Sequence, residues 1–181
     1  MRDSGGTTSQ RAVGRASALV LLVVLGIAPA CASDDAEQTP VEAFCSGVCG
    51  AAIRCGLADN SCSSSCAQSA HADRYSNEGA RHLGDCLDGL TCSAFSDETV
   101  WNEQFNACWQ SSKPLVPVTE HVRGVCRRYV EASFECSSLY STERCELDLR
   151  MWSDDVLDAA AACFPASDCD ALGACLKGAF G

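Results

Sequence analysis

The sequence predicts an all-α protein: a small helical bundle stapled by disulfides and built from two tandem diverged repeats. Three observations carry this. Cysteine supplies 15 of the 181 residues, about 8%, a density that belongs to disulfide scaffolds of oxidising compartments. The cysteine spacing recurs: ten residues separate Cys45 from Cys55 and Cys126 from Cys136, and six separate Cys86 from Cys92 and Cys163 from Cys169. Apolar residues fall at helical period, and no run alternates with the period of two that a half-buried strand shows.

The repeat extends beyond the spacings. Tyr75 in "YSNE" and Trp152 in "WSDD" each stand eleven residues before a cysteine, and "ACW" from Ala107 matches "ACL" from Ala174. The copies are residues 39–110 and 119–181, and the first carries about ten extra residues, roughly Ser96 to Phe105. Six cysteines are shared: Cys45, Cys55, Cys66, Cys86, Cys92 and Cys108 against Cys126, Cys136, Cys145, Cys163, Cys169 and Cys175. Cys49 and Cys62 occur only in the first copy. Their joint presence there and joint absence from the second is what one extra disulfide produces, so the two are expected to pair. Six cysteines admit some fifteen pairings, and for the shared set the sequence leaves these open. Each copy holds an even number, so no bridge need cross between them. Residues 111–118, "SSKPLVPV" with its two prolines, read as a short semi-rigid spacer.

The helices can be taken in order. In "TPVEAF", Thr39 is an N-cap, Pro40 sits at the first helical position and Glu42 completes a capping box. Phe44, Val48, Ala52 and Cys55 then recur at helical spacing, Cys45, Cys49 and Ile53 line an adjoining stripe, and Gly56 is a stop. In the second copy Thr119 caps a helix carrying Val122, Val125, Cys126, Tyr129, Val130 and Phe134. "STERCELDLRMW" and "SDDVLDAAAAC" read as two further helices with Ser141 and Ser153 as caps, and a last one runs from about Asp168 to Phe180. A core of this size is marginal alone. Three or four bridges at about 2–4 kcal/mol each tip the balance.

The N-terminus bears on the compartment. Arg2, Arg11 and Arg15 precede an unbroken apolar run from Ala16 to Ala28. That run falls short of the roughly 20 residues a membrane-spanning helix needs and has the length of a signal-peptide apolar region. Residues 1–30 are therefore expected to be a signal peptide. "IAPAC", ending at Cys31, resembles the lipobox of bacterial lipoprotein precursors, with Ala28 and Pro29 where the usual pattern has Leu and a small residue. The resemblance implies that Cys31 is lipidated, becomes the mature N-terminus and holds the protein to an envelope membrane. Setting Cys31 aside leaves fourteen cysteines, which can pair completely. Residues 31–38, "CASDDAEQ", read as an acidic flexible tether. Plain secretion, with Ala28-Pro29-Ala30 as the cleavage site, is the alternative.

Several chemistries are set aside. Loss of residues 1–30 takes basic residues from 13 to 10 and acidic ones from 24 to 23, a net charge of −13. Such a surface repels nucleic acid, so no nucleic-acid partner is expected. Structural zinc favours two-residue gaps between paired ligands, and thiol–disulfide exchange wants C-x-x-C. The closest spacing here is C-x3-C, at Cys45/Cys49 and Cys62/Cys66, which puts both sulfurs on one helix face and suits helix-to-helix bridges. No nucleophile elbow or phosphate-binding loop occurs. "HLGDC" at His82 lacks the adjacent cysteine and His-Asp pairs of secreted phospholipases A2. His71, His82 and His121 read as solvated surface residues, and Asp148, Asp154, Asp155 and Asp158 as the wet face of a helix. No catalytic residue, metal ligand or cofactor is expected. The body resembles the small cysteine-rich lipoproteins of bacteria with large secretomes, a class without assigned activities. The resemblance implies a non-enzymatic surface module, binding or structural, with an unknown protein or polymer as ligand. A secreted disulfide-rich effector or inhibitor is one alternative, and an enzyme with an unrecognised site is another.

Overall fold

A computed structural model describes residues 38–180, apart from 70, 134–135, 137–140 and 167. The expected signal peptide, Cys31 and Phe134 lie outside the described residues. Among the described residues the chain forms eight α-helices and no strand, only a single antiparallel bridge.

Helix α1 (Pro40–Arg54) opens on the capping box: the Thr39 hydroxyl accepts from the Glu42 N–H while the Glu42 carboxylate accepts from the Thr39 N–H at 2.9 Å. It ends at Gly56, whose φ of +69° lets the Gly56 N–H reach the Ile53 carbonyl and the Leu57 N–H the Ala52 carbonyl. This is the double bond of a Schellman stop, which favours glycine at its left-handed position. Helix α2 (Cys62–Ser69) buries no residue of its own. It is held to α1 by Cys45–Cys66 and Cys49–Cys62, each pair of sulfurs one turn apart on its helix.

After a 3-10 turn at Ala72–Arg74 comes α3 (Asn77–Leu87), with Ser76 capping the Gly79 N–H at 3.0 Å. Helices α1 and α3 cross in backbone contact. A methyl group on Gly47 would overlap the Gly84 carbonyl, and one on Gly84 would overlap the carbonyl of Ala43. Asp97 caps α4 (Glu98–Ser112). The extra residues of the first copy are the opening turns of this helix, and they lay Val100, Trp101 and Phe105 against the first core.

The second copy holds α5 (Glu120–Ser133), α6 (Thr142–Leu149), α7 (Asp154–Ala161) and α8 (Cys169–Phe180). Thr119 caps α5 through the Val122 N–H, Ser141 caps α6 through that of Arg144, and Asp168 serves α8 through that of Ala171. Two local expectations need correction. Helix α6 stops at Leu149, so Trp152 is not helical; it pairs in an antiparallel bridge with Tyr75. Ser153 holds the N-cap position of α7 but makes no side-chain cap; its N–H instead donates to the Arg74 carbonyl at 2.8 Å.

All fourteen cysteines from Cys45 onward are paired, and the shared six pair alike in both copies. Cys45–Cys66 corresponds to Cys126–Cys145, Cys55–Cys92 to Cys136–Cys169, and Cys86–Cys108 to Cys163–Cys175. Cys49–Cys62 is the extra bridge of the first copy. So many disulfides persist in an oxidising, extracytoplasmic environment. No helix of the described residues is long and apolar enough to cross a membrane.

The bridges respect the boundary between the copies; the apolar core does not. One cluster gathers Ala51, Leu83, Leu87, Leu90 and Val116 around Met151, a second-copy residue with no exposed surface. The other gathers Val122, Val125, Cys126, Cys145 and Leu157. Tyr75, Trp109 and Trp152 join the two, with ring centroids 5.5–5.6 Å apart.

Candidate functional site

The second copy forms a half-open cavity of about 300 Å³ between α5, α6, α7 and α8. Val125 and Tyr129 reach it from α5, Leu149 from α6, Trp152 from the bridge, Phe164 from beyond α7, and Phe180 from the end of α8. Its rings are fixed in pairs: Tyr129 against Phe164 at 6.0 Å and Trp152 against Phe180 at 5.4 Å. Arg74 holds this end of α8 in place. Its guanidinium lies 5.7 Å from the Trp152 ring centroid and donates to the Ala179 carbonyl.

One carboxylate, Asp148, borders the cavity. The sequence predicts it on the wet face of a helix, and the structure overturns that. Asp148 stands on α6 with its side chain 19% exposed, Oδ1 2.6 Å from Lys113 Nζ and Oδ2 2.9 Å from Arg144 Nε. Burial of Lys113 at 5% exposure draws the carboxylate inward, since a buried ammonium needs an anion. Lys113 also lies 5.8 Å from the Trp109 ring centroid. Arg150 donates to the Val116 carbonyl at 3.0 Å, so the segment between the copies is bonded to the end of α6. Asp154, Asp155 and Asp158 are exposed on α7.

Across the cluster, burial pushes the Tyr75 phenol above its usual value, and the nearby Arg74 charge opposes that shift.

The histidines lie on separate segments. His71 is exposed before the Ala72 turn. His82 on α3 meets Arg81 and Glu78, and His121 on α5 stands 3.1 Å from Asp158. Among the described residues no group of three or more His, Cys, Asp or Glu side chains could hold a metal ion. Cys31 lies outside the described residues.

Val125, Tyr129 and Trp152 stand on segments expected to be helical, and the lining residues missed are Leu176 and Phe180. These two stand four residues apart on α8 and so share a face, which was the available signal. Compared with known proteins, the chain matches no family model, no curated protein and no solved structure.

Proposed function

We propose that this is an exported lipoprotein, held to an envelope membrane by a lipid on Cys31, whose folded part is a non-enzymatic binding module displayed outside the cytoplasm. One observation supports the anchor above the others. The fourteen cysteines from Cys45 onward are consumed in seven bridges, so Cys31 is the one cysteine of the fifteen outside that set. The binding role is supported by the aromatic cavity of the second copy, a concave apolar surface of the kind ligand sites use.

Replacement of Cys31 by Ser, followed by fractionation of producing cells, tests the anchor. The natural chain should sediment with membranes and carry the mass of acyl groups on its N-terminal peptide, while the variant should be soluble. A variant that partitions as the natural chain does removes Cys31 as the anchor.

A further inference from the structure

The cavity is lined at several positions where the copies differ. Ala160 stands three residues before Cys163, as Leu83 stands three before Cys86; Leu176 follows Cys175, as Trp109 follows Cys108. In the first copy Leu83 is wholly buried, and Trp109 packs on the first core. The second copy carries shorter side chains at both places, and both line the cavity. Two other lining positions change the other way. Tyr129 and Phe164 stand where the first copy has Val48 and Leu87. Tyr129 and Phe164 thus bring rings to the wall, while Val125, Ala160 and Leu176 stand where the first copy has the larger Phe44, Leu83 and Trp109.

The helices of that wall are tied to one another. Cys126–Cys145 joins α5 to α6, and Cys163–Cys175 joins the end of α7 to α8. Cys136–Cys169 fastens the segment after α5 to the start of α8. A frame closed in this way resists collapse onto the space, and a preformed cavity spares a ligand the cost of ordering it. Both oxygens of the rim carboxylate are engaged within the chain. Asp148 gives one oxygen to Lys113 and the other to Arg144. A cationic ligand would have to displace one of them, and an anionic ligand would meet a carboxylate.

We propose that this cavity binds a small uncharged hydrophobic molecule about the size of a two-ring aromatic. Volume sets the size: an engineered apolar cavity of about 150 Å³ holds one benzene, and this one is about twice as large. The proposal rests on reading the folded part as a binding module, and it names the ligand class.

Indole serves as the probe, with tryptamine and indole-3-acetate as cationic and anionic versions of the same ring system. Titration calorimetry on the full mature chain should show one indole per molecule, and both charged compounds should bind at least about tenfold more weakly. Ala160→Leu and Leu176→Trp restore the first copy's residues and fill the space from two sides. Each should weaken indole at least about tenfold, with an unchanged helical spectrum and the mass of seven intact bridges. Absence of indole binding by the natural chain overturns the proposal. So does undiminished binding by both folded variants, or tighter binding of tryptamine than of indole. Tighter binding of a blocked Gly-Trp-Gly tripeptide than of indole makes the occupant a protein segment, and overturns it as well. Fractionation of Cys31→Ser scores the anchor separately: a chain that ignores indole yet depends on Cys31 for sedimentation refutes the ligand class alone.

Discussion

Tyr75 and Trp152 hold the same place in the two copies and pair with each other across an antiparallel bridge, their ring centroids 5.6 Å apart. The bonds around them are reciprocal. The Ser76 N–H donates to the Met151 carbonyl at 2.9 Å, and the Ser153 N–H donates to the Arg74 carbonyl at 2.8 Å. Ser76 and Ser153 are equivalent positions, as are Arg74 and Met151. The two copies thus meet about a local two-fold axis, and α3 and α7 both start from it.

Removing side chains at this axis should damage both copies together. Met151→Ala should cost about 2–5 kcal/mol and Trp152→Ala about 3–5 kcal/mol, since Met151 fills the first core and Trp152 touches Tyr75, Trp109 and Phe180. Guanidinium unfolding under non-reducing conditions, followed by circular dichroism, gives the values. Losses below about 1 kcal/mol would mean that the copies do not share packing.

Two glycine substitutions should have opposite signs. Gly84→Ala drives a methyl group into the Ala43 carbonyl, and overpacking of this kind costs about 1–3 kcal/mol or more. Gly124, inside α5 with open space where a Cβ would lie, should gain about 0.5–1 kcal/mol when replaced by Ala. Thermal melts of the two variants side by side decide the ordering.

The buried pair near the cavity should be asymmetric toward truncation. Asp148→Ala strands the Lys113 ammonium, whose side chain is 6% exposed, and should cost about 3 kcal/mol. Arg144, at 58% exposure, should be worth about 1 kcal/mol or less. The pair Lys113→Met with Asp148→Leu should recover most of the loss, because no buried charge is then left unpaired. Equal effects of Asp148→Ala and Arg144→Ala in chemical unfolding would contradict this assignment.

Alkaline pH should weaken the fold through Tyr75. Burial raises its phenol above the usual 10.0, so the unfolded chain loses that proton first as pH rises. The contribution is complete below about pH 10 and is lost above it, as pH climbs toward the raised folded value. Unfolding curves between about pH 8 and about pH 11 should fall more steeply for the natural chain than for Tyr75→Phe. Identical slopes would remove Tyr75 as the cause.

How much of this was legible in the sequence depends on the range of the interaction. Caps and stops are local, so Thr39, Gly56, Thr119 and Ser141 could be read from their neighbours. The all-α class followed from period and cysteine spacing. The shared cysteines could be counted but not joined, because pairing depends on which helices lie side by side. Trp152 continued the helical pattern of "STERCELDLRMW", yet its place is set by Tyr75, far away in the chain. Asp148 has the sequence context of a surface residue; what draws it in is Lys113, 35 positions earlier. The crossing of α1 and α3 at Gly47 and Gly84 left no periodic trace, since glycine contributes by what it lacks. The cavity was hidden for a related reason: its lining residues look like any other core until Ala160 and Leu176 are compared with Leu83 and Trp109.

A contact between equivalent residues about a two-fold axis is the one that two free copies of a single repeat would use to form a dimer, each offering the same patch to the other. Tyr75 and Trp152, with the two reciprocal hydrogen bonds of the residues beside them, make a small patch of that kind, and for separate subunits its occupancy would depend on dilution. Residues 113–119 remove that dependence by presenting one half to the other at a local concentration in the millimolar range. Fusion also releases the halves from identity. A self-pairing subunit must use one sequence for both roles, whereas the joined chain can keep Leu83 and Trp109 as packing on one side and turn their counterparts, Ala160 and Leu176, to the wall of a cavity on the other.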